Sequence, residues 1–207
     1  MIKVHYFYDP MCGWCYAAAS LTAVLAQIPE FEVVYHPGGM IPKRALDASF
    51  RQHILQADKQ IAQMTNAHFG EAYIDRVKGS GDYVVDSFAT TQAIIVAEEM
   101  GIDNHTMLAA LQNAHYQEGK HLHELDVLAE LAVSLGLDKA AWNEKMAKAE
   151  AALHNKLADS HQLMGQMQVG GFPTFILERE DSLMRLSHSH YYGKPDEWKS
   201  YLTTLIR

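Results

Sequence analysis

The chain is 207 residues long, 48% hydrophobic and 20% charged, with a formal net charge of −8 at pH 7. That length and composition suit a globular protein with a sizeable core, built as one domain or as one domain with a large insertion. The acidic balance argues against a nucleic-acid partner, which calls for a basic face, and no apolar run approaches the roughly 18 residues that a membrane span needs.

Met1-Ile2-Lys3 leads directly into a strand pattern, with no apolar stretch and small-residue cleavage site of the secretory kind. A cytoplasmic protein is the expectation, and in that compartment two cysteines are not a structural staple. Ile2-Lys3-Val4-His5-Tyr6-Phe7-Tyr8 is rich in β-branched and aromatic residues and predicts a strand. Ala18, Leu21, Val24, Leu25 and Ile28 then share one helical face, in a helix that starts at Cys12 and stops at Pro29. Phe31 to His36 predicts a second strand, closed by Pro37-Gly38-Gly39. Strand, helix and strand at this spacing form a βαβ unit, so the two strands should be parallel with a right-handed crossover.

From Pro42 to about Gln168 the pattern is helical, with no strand. Phe50, Ile54, Ala57, Ile61 and Met64 mark one helix, and Glu71 to Lys78 a shorter one before the Gly79-Ser80-Gly81-Asp82 loop. Phe88, Thr91, Ile94 and Ile95 mark the next, capped by Gly101. Asn104 is the expected N-cap of a helix carrying Met107, Leu108, Leu111 and Ala114, which Gly119 closes. Leu125, Leu128, Leu131, Ala132 and Leu135 form a stripe ending at Gly136. Asp138 then caps a long helix through Trp142, Met146, Ala149, Leu153 and Leu157 to about Met167. These stripes are core faces. Strands return at Val169 to Leu177 and at Ser182 to Ser187, with Glu178-Arg179-Glu180-Asp181 as the hairpin turn between them. Pro195 opens a terminal helix whose inner face carries Trp198, Leu202 and Ile206.

Both cysteines lie in Cys12-Gly13-Trp14-Cys15, between the first strand and the first helix. Strand, Cys-x-x-Cys and helix in that order is the setting of a redox dithiol. A thiol at a helix N-terminus faces unpaired N–H groups and the positive end of the macrodipole, and both favour the thiolate. Cys12 should therefore stand exposed as the attacking sulfur. Cys15, one turn further in on the same face, should resolve the mixed disulfide. Two other readings stay open. Free cysteines also serve as small buried hydrophobes, and a cysteine pair can be half of a zinc site completed by some of the 12 histidines.

The skeleton is βαβ, a helical block, then ββα, which is a thioredoxin-like order with a long interruption. The expected fold is α/β: a thioredoxin-like domain from residues 1–40 and 169–207, with residues 41–168 as an all-helical insertion over the active-site edge. Four stretches carry a family resemblance: Asp9-Pro10-Met11-Cys12-Gly13-Trp14-Cys15, Ala114-His115-Tyr116-Gln117-Glu118-Gly119-Lys120, Val127-Leu128-Ala129-Glu130-Leu131-Ala132 and Gly170-Gly171-Phe172-Pro173-Thr174-Phe175. On these the chain resembles the DsbA-type branch of the thioredoxin-like superfamily, and most of all its FrnE-like dithiol oxidoreductases, which are often cytosolic.

The resemblance implies Cys12 as nucleophile, Cys15 as resolving thiol and Pro173 as a cis-proline facing the disulfide. The Phe172 backbone beside it would pair with an extended substrate segment. Better-known oxidants of this type carry a histidine between the cysteines, whereas Gly13-Trp14 offers no cation, so the direction of electron flow is open. A sister branch, the kappa-class glutathione transferases and 2-hydroxychromene-2-carboxylate isomerases, resembles this chain in its helical insertion. It usually has serine at the position matching Cys12, and glutathione as cofactor. The implied function is a thiol–disulfide oxidoreductase or isomerase acting on disulfide- or thiol-bearing proteins or small molecules. It needs no cofactor beyond the dithiol, with glutathione a candidate co-substrate. The alternatives are a glutathione-dependent transferase or isomerase of the sister branch, and a non-catalytic thiol- or metal-binding module.

Four further features admit two readings each. Trp14 offers an aromatic platform for a substrate peptide, or a ring half-packed on the insertion. Asp9 takes a proton from Cys15 during resolution, or opens a turn as Asp-Pro commonly does; the turn is the preferred reading. His121-x-His123 and His188-x-His190 each space two imidazoles for a metal, but read better as surface histidines, and no metal site is assigned. His36, at the end of the second strand, reads as structural.

Overall fold

The computed structural model describes residues 2–180 and 182–206. β1 (Ile2–Tyr8) is buried from Val4 onward, as befits a central strand covered on both faces. Its chain turns into α1 (Gly13–Ala17) and α2 (Ala19–Ala26), then returns as β2 (Phe31–Pro37). β1 and β2 are parallel, with Ile2 opposite Phe31 and Tyr6 opposite Tyr35. The single helix expected after Cys12 is in fact two. Leu21 N bonds Ala18 O at 2.9 Å, a tight i→i+3 closure that breaks the α-helical ladder at Ala18.

The helical block follows as α3 (Ala48–Thr65), α4 (Glu71–Lys78), α5 (Ser87–Glu99), α6 (Asn104–Tyr116), α7 (Leu125–Ser134), α8 (Lys139–Lys148) and α9 (Glu150–Gln166). It is not wholly helical. Arg44–Ala45 and Val84–Val85 form β3 and β4, an antiparallel pair with Arg44 opposite Val85. Two-residue strands are too short to show any periodicity, so the sequence reads through them. α8 and α9 were expected as one helix. The Gln92 side-chain amide donates to Met146 O at 2.6 Å, taking the carbonyl that a continuous helix would give to Glu150. The N-cap of α6 is Asp103 rather than Asn104, its carboxylate accepting from Thr106 N at 2.9 Å. On α3 the inward face is Ile54, Asp58, Ile61 and Thr65, while Met64, expected inside, is 67% exposed. Leu125 is likewise exposed.

β5 (Thr174–Arg179) lies antiparallel on the other side of β1, with Phe175 opposite Tyr6. β6 (Ser182–Arg185) is the outer edge, and the main sheet runs β2-β1-β5-β6. β5 starts at Thr174 rather than Val169, after Pro173, which has no N–H for a ladder. Glu178 and Arg179 belong to the strand instead of the turn, and Asp181 of that turn lies outside the described residues. A 3-10 turn (His188–Tyr191) leads to α10 (Pro195–Thr204), with Pro195 in its first turn. Trp198 of α10 is fully buried and its Nε1 donates to Leu21 O at 3.1 Å, fixing α10 against α2. Ile206 falls beyond α10 and is half-buried.

One contiguous buried cluster takes Tyr6 from β1, Leu21 from α2, Ile61 from α3, Tyr73 from α4, Leu111 from α6 and Trp142 from α8. The opposite face of the sheet holds a smaller cluster of Phe7, Val169 and Ile176. The helical block therefore shares its core with the sheet at the end where the cysteines lie. Among the described residues no helix is long and apolar enough to cross a membrane.

Candidate active site

β1 delivers the chain to the dithiol through a turn built by Asp9. Met11 N donates to Asp9 Oδ1 at 2.9 Å, and Cys12 N to Asp9 O at 3.1 Å. The carboxylate, wholly buried, also accepts from Ser87 Oγ at 2.7 Å and Met40 N at 2.6 Å. It thus ties the turn to the start of α5 and to the segment after β2. Burial pushes its pKa up, against those three donors. The geometry is that of a turn former, the preferred of its two readings.

Cys12 is the N-cap residue of α1, with extended dihedrals. It does not stand exposed as expected. Only 8% of its surface is accessible, because the segment Met40–Leu46, α3 and α6 wall it in. It lines a cavity of about 160 Å³ between α1 and these elements. Its Sγ makes a long contact, 3.9 Å, to Phe172 O. α1 is only five residues long before the break, so little macrodipole acts here and the local donors must do more. The Cys15 thiol donating to it holds Cys12 below the ordinary thiol range, helped by the N–H groups of Cys15 and Trp14; burial and the Asp9 charge push the other way. Cys15 is fully buried. Burial first, and the neighbouring Cys12 second, push it well above that range. Both are free thiols.

The Phe172–Pro173 peptide bond is cis. Pro173 is buried, and the half-buried Phe172 ring lies on Gly38, where an added Cβ would collide with it. Gly170 and Gly171 are exposed with open space over their α-carbons, leaving an accessible backbone edge next to Cys12. Trp14 is half-buried. It lines the cavity but also packs on the C-terminal segment, 5.7 Å from the Tyr192 ring, whose hydroxyl donates to Trp14 O at 3.3 Å. Between the cysteines, position 13 leaves little room for a side chain. A Cβ there would meet Asp58 Oδ1 at 2.9 Å and Ile61 Cδ1 at 3.1 Å.

Asp58 is the site residue that the sequence reading passed over. It lies four residues after Ile54 and three before Ile61, on the buried face of α3. An acid on an apolar stripe was the available signal. Its Oδ2 accepts from Tyr73 Oη at 2.7 Å, and burial pushes its pKa up to about 6. Tyr83 Oη and His115 Nε2, 3.2 Å apart, complete the polar wall; His115 comes from one of the stretches that carried the family resemblance.

The histidine pairs stand apart from the dithiol. Among the described residues the one group of three possible metal ligands is His121, His123 and Glu124, and it includes neither cysteine. His188 packs against Phe175 and Tyr192, and His190 is exposed. His36 is structural as read. Its Nε2 lies 2.9 Å from His5 Nδ1, while His5 Nε2 lies 2.7 Å from Glu178 Oε2, and burial drives the His36 pKa down to about 4.

The sequence profile of the DSBA-like thioredoxin domain matches residues 3–189. The chain belongs to the DSBA-like thioredoxin family. Its fold is similar to that of the cytosolic disulfide reductase DsbM from Pseudomonas aeruginosa, with 38% sequence identity and a TM-score of 0.91 over 99% of this chain and 98% of that one. The same protein solved with GSH aligns at 38% identity and a TM-score of 0.90, over 99% of both chains. A 2-hydroxychromene-2-carboxylate isomerase shares the fold alone, at 15% identity and a TM-score of 0.60 over 99% of this chain and 96% of that one. A comparison with curated protein sequences finds no match. As a member of this family the chain is a disulfide oxidoreductase.

Proposed function

We propose that the protein is a cytoplasmic dithiol reductase of small-molecule or protein disulfides, with Cys12 attacking and Cys15 resolving. The Cys12 thiolate attacks one sulfur of the substrate disulfide and expels the other as a thiolate, which takes up a proton. Cys15 then attacks the Cys12 sulfur and expels the second substrate thiol. The substrate disulfide is reduced to two thiols and the dithiol is oxidised to a Cys12–Cys15 disulfide. The observation behind this assignment is the asymmetry of the pair: Cys12 is held low by the Cys15 donor, whereas Cys15 is held high by burial. A strong oxidant of this kind owes its potential to a stabilised reduced form. Here the Cys15 donor holds the thiolate, but burial and Asp9 offset part of that, and Gly13-Trp14 adds no cation. The couple should therefore be less oxidising than one with a cation between the cysteines, which agrees with the similarity to DsbM.

Pro173 and the Phe172 backbone beside Cys12 would receive the substrate, with Trp14 offering one face to it. A thiol such as glutathione would regenerate the dithiol, a reading supported by the GSH-bound form of DsbM. No resident cofactor or metal is required. In this reading residues 1–40 and 169–207 are the redox unit, and residues 41–168 form the block that walls the substrate in. The test is disulfide exchange by two variants. Cys12→Ser should abolish it, because a hydroxyl is not appreciably ionised near neutral pH. Cys15→Ser should still attack the disulfide through Cys12 but fail to turn over. Equal loss of the first step in both variants would refute the assignment.

A further inference from the structure

The cavity beside Cys12 is too small for a drug-sized ligand, which takes about 300 Å³ or more; at about 160 Å³ it suits a short aminothiol half. Its walls are mainly apolar and aromatic, with Trp14, Phe50, Tyr73, Tyr83 and Tyr116 among them. The lining holds one carboxylate, Asp58, and no lysine or arginine. Two polar groups on this wall lack a partner among the described residues. Asp58 Oδ1, against Gly13, accepts no hydrogen bond, while Oδ2 is taken by Tyr73. His115 Nδ1 is buried and unpaired. Both side chains are more than nine-tenths buried. The Oδ1 oxygen is thus free to accept from a donor that enters the cavity. Ring faces and a carboxylate together recognise an ammonium group.

We propose that this cavity binds the ammonium-bearing half of a small amino-disulfide, with Asp58 as the acceptor and the disulfide sulfur presented to Cys12. The assignment rests on the disulfide-exchange reading above. The charged and titratable groups around Asp58 are, on the Cys12 side, Cys12 on α1, His53 on α3, Tyr73 on α4, Tyr83 before β4, and His115 and Tyr116 on α6. On its other side, where it also lines an open groove, they are Lys59 of α3, His68 before α4 and Lys78 of α4. Arg76 of α4 lies over the Tyr83 ring at 4.7 Å, outside the lining. Burial keeps His115 neutral, so it adds no opposing charge.

The experiment follows oxidation of the reduced full-length protein in a single turnover, read by acid quench and mass spectrometry. Cystamine, the neutral bis(2-hydroxyethyl) disulfide and the anionic dithiodipropionate are compared. Each second-order rate constant is divided by that for glutathione thiolate in solution, which removes intrinsic reactivity. Wild type should prefer cystamine over the neutral disulfide by about tenfold near neutral pH, about 1.4 kcal/mol. That preference should fade as Asp58 is protonated below pH 6, and Asp58→Asn should lose most of it. An equal normalised ratio in wild type and Asp58→Asn, or a preference for the anion, would overturn the proposal. If Asp58→Asn does not fold, the wild-type pH profile decides: a flat ratio across pH 5 to 8 refutes it. Failure to oxidise with any of the three disulfides would instead sink the exchange reading itself.

Discussion

Asp58→Asn should make the protein more stable above pH 6. The amide keeps the shape of the side chain and an oxygen for Tyr73, and removes a carboxylate that burial disfavours. The folded pKa, about 6, lies above the ordinary 3.8. In the unfolded chain the proton is released near pH 4, whereas the folded protein keeps it to about pH 6. Wild type is therefore most favoured below pH 4, loses stability between pH 4 and 6, and carries the full penalty above that. A shift of about two units corresponds to about 3 kcal/mol, since each unit is about 1.4 kcal/mol. At 7% exposure little of this is screened by water. Some is returned by the poorer fit of an amide beside Gly13, so a net gain on the order of 1–3 kcal/mol is expected at pH 7.5. Urea unfolding of both proteins, followed by tryptophan fluorescence at pH 4 and pH 7.5, measures it. Because other titrating groups are common to the two, the difference isolates Asp58. A gain of equal size at the two pH values would refute the reasoning, as would a loss at pH 7.5.

Gly13→Ala should destabilise by about 1–3 kcal/mol, because the new Cβ forces Asp58 and Ile61 of α3 away from α1; thermal unfolding reads it, and an unchanged melting temperature would contradict the close approach. Asp9→Asn should move the alkylation profile of Cys12 to lower pH, since the Asp9 charge opposes the thiolate. It should also cost on the order of 1–3 kcal/mol, because the donors that share the carboxylate cannot all be satisfied by an amide. His36→Gln should soften acid unfolding. The folded pKa of about 4 is below the ordinary histidine value, so wild-type stability from this group is complete above about pH 6.5 and falls as the pH drops toward 4. Denaturation midpoints at pH 4.5 and 7 should converge in the variant.

What was legible in the sequence is what local chemistry decides. Ile2–Tyr8 and Phe31–Pro37 announce themselves by residue type, and the Cys-x-x-Cys between them marks the turn into α1. Pro195 and Asp138 set helix starts through their own backbone and carboxylate. The features that were missed depend on partners distant in the chain. At the break by Ala149, Gln92 of α5 claims the Met146 carbonyl of α8, and β3 needs β4 some forty residues later before either is a strand. Cys12 was expected at the surface because its exposure is set by walls from residues 40–116, which no local pattern reports. Asp58 was not singled out, and only its place between Ile54 and Ile61 hinted that it is buried.

The central claim is that Cys12 is the sulfur that substrate disulfides meet and that Cys15 frees it. Mass spectrometry of Cys15→Ser, exposed to glutathione disulfide at neutral pH and mapped by peptide, reads this most directly. A stoichiometric glutathione adduct on Cys12, absent from wild type and from Cys12→Ser, is the expected result. No adduct on Cys12, together with alkylation that follows an ordinary unperturbed thiol, would contradict it.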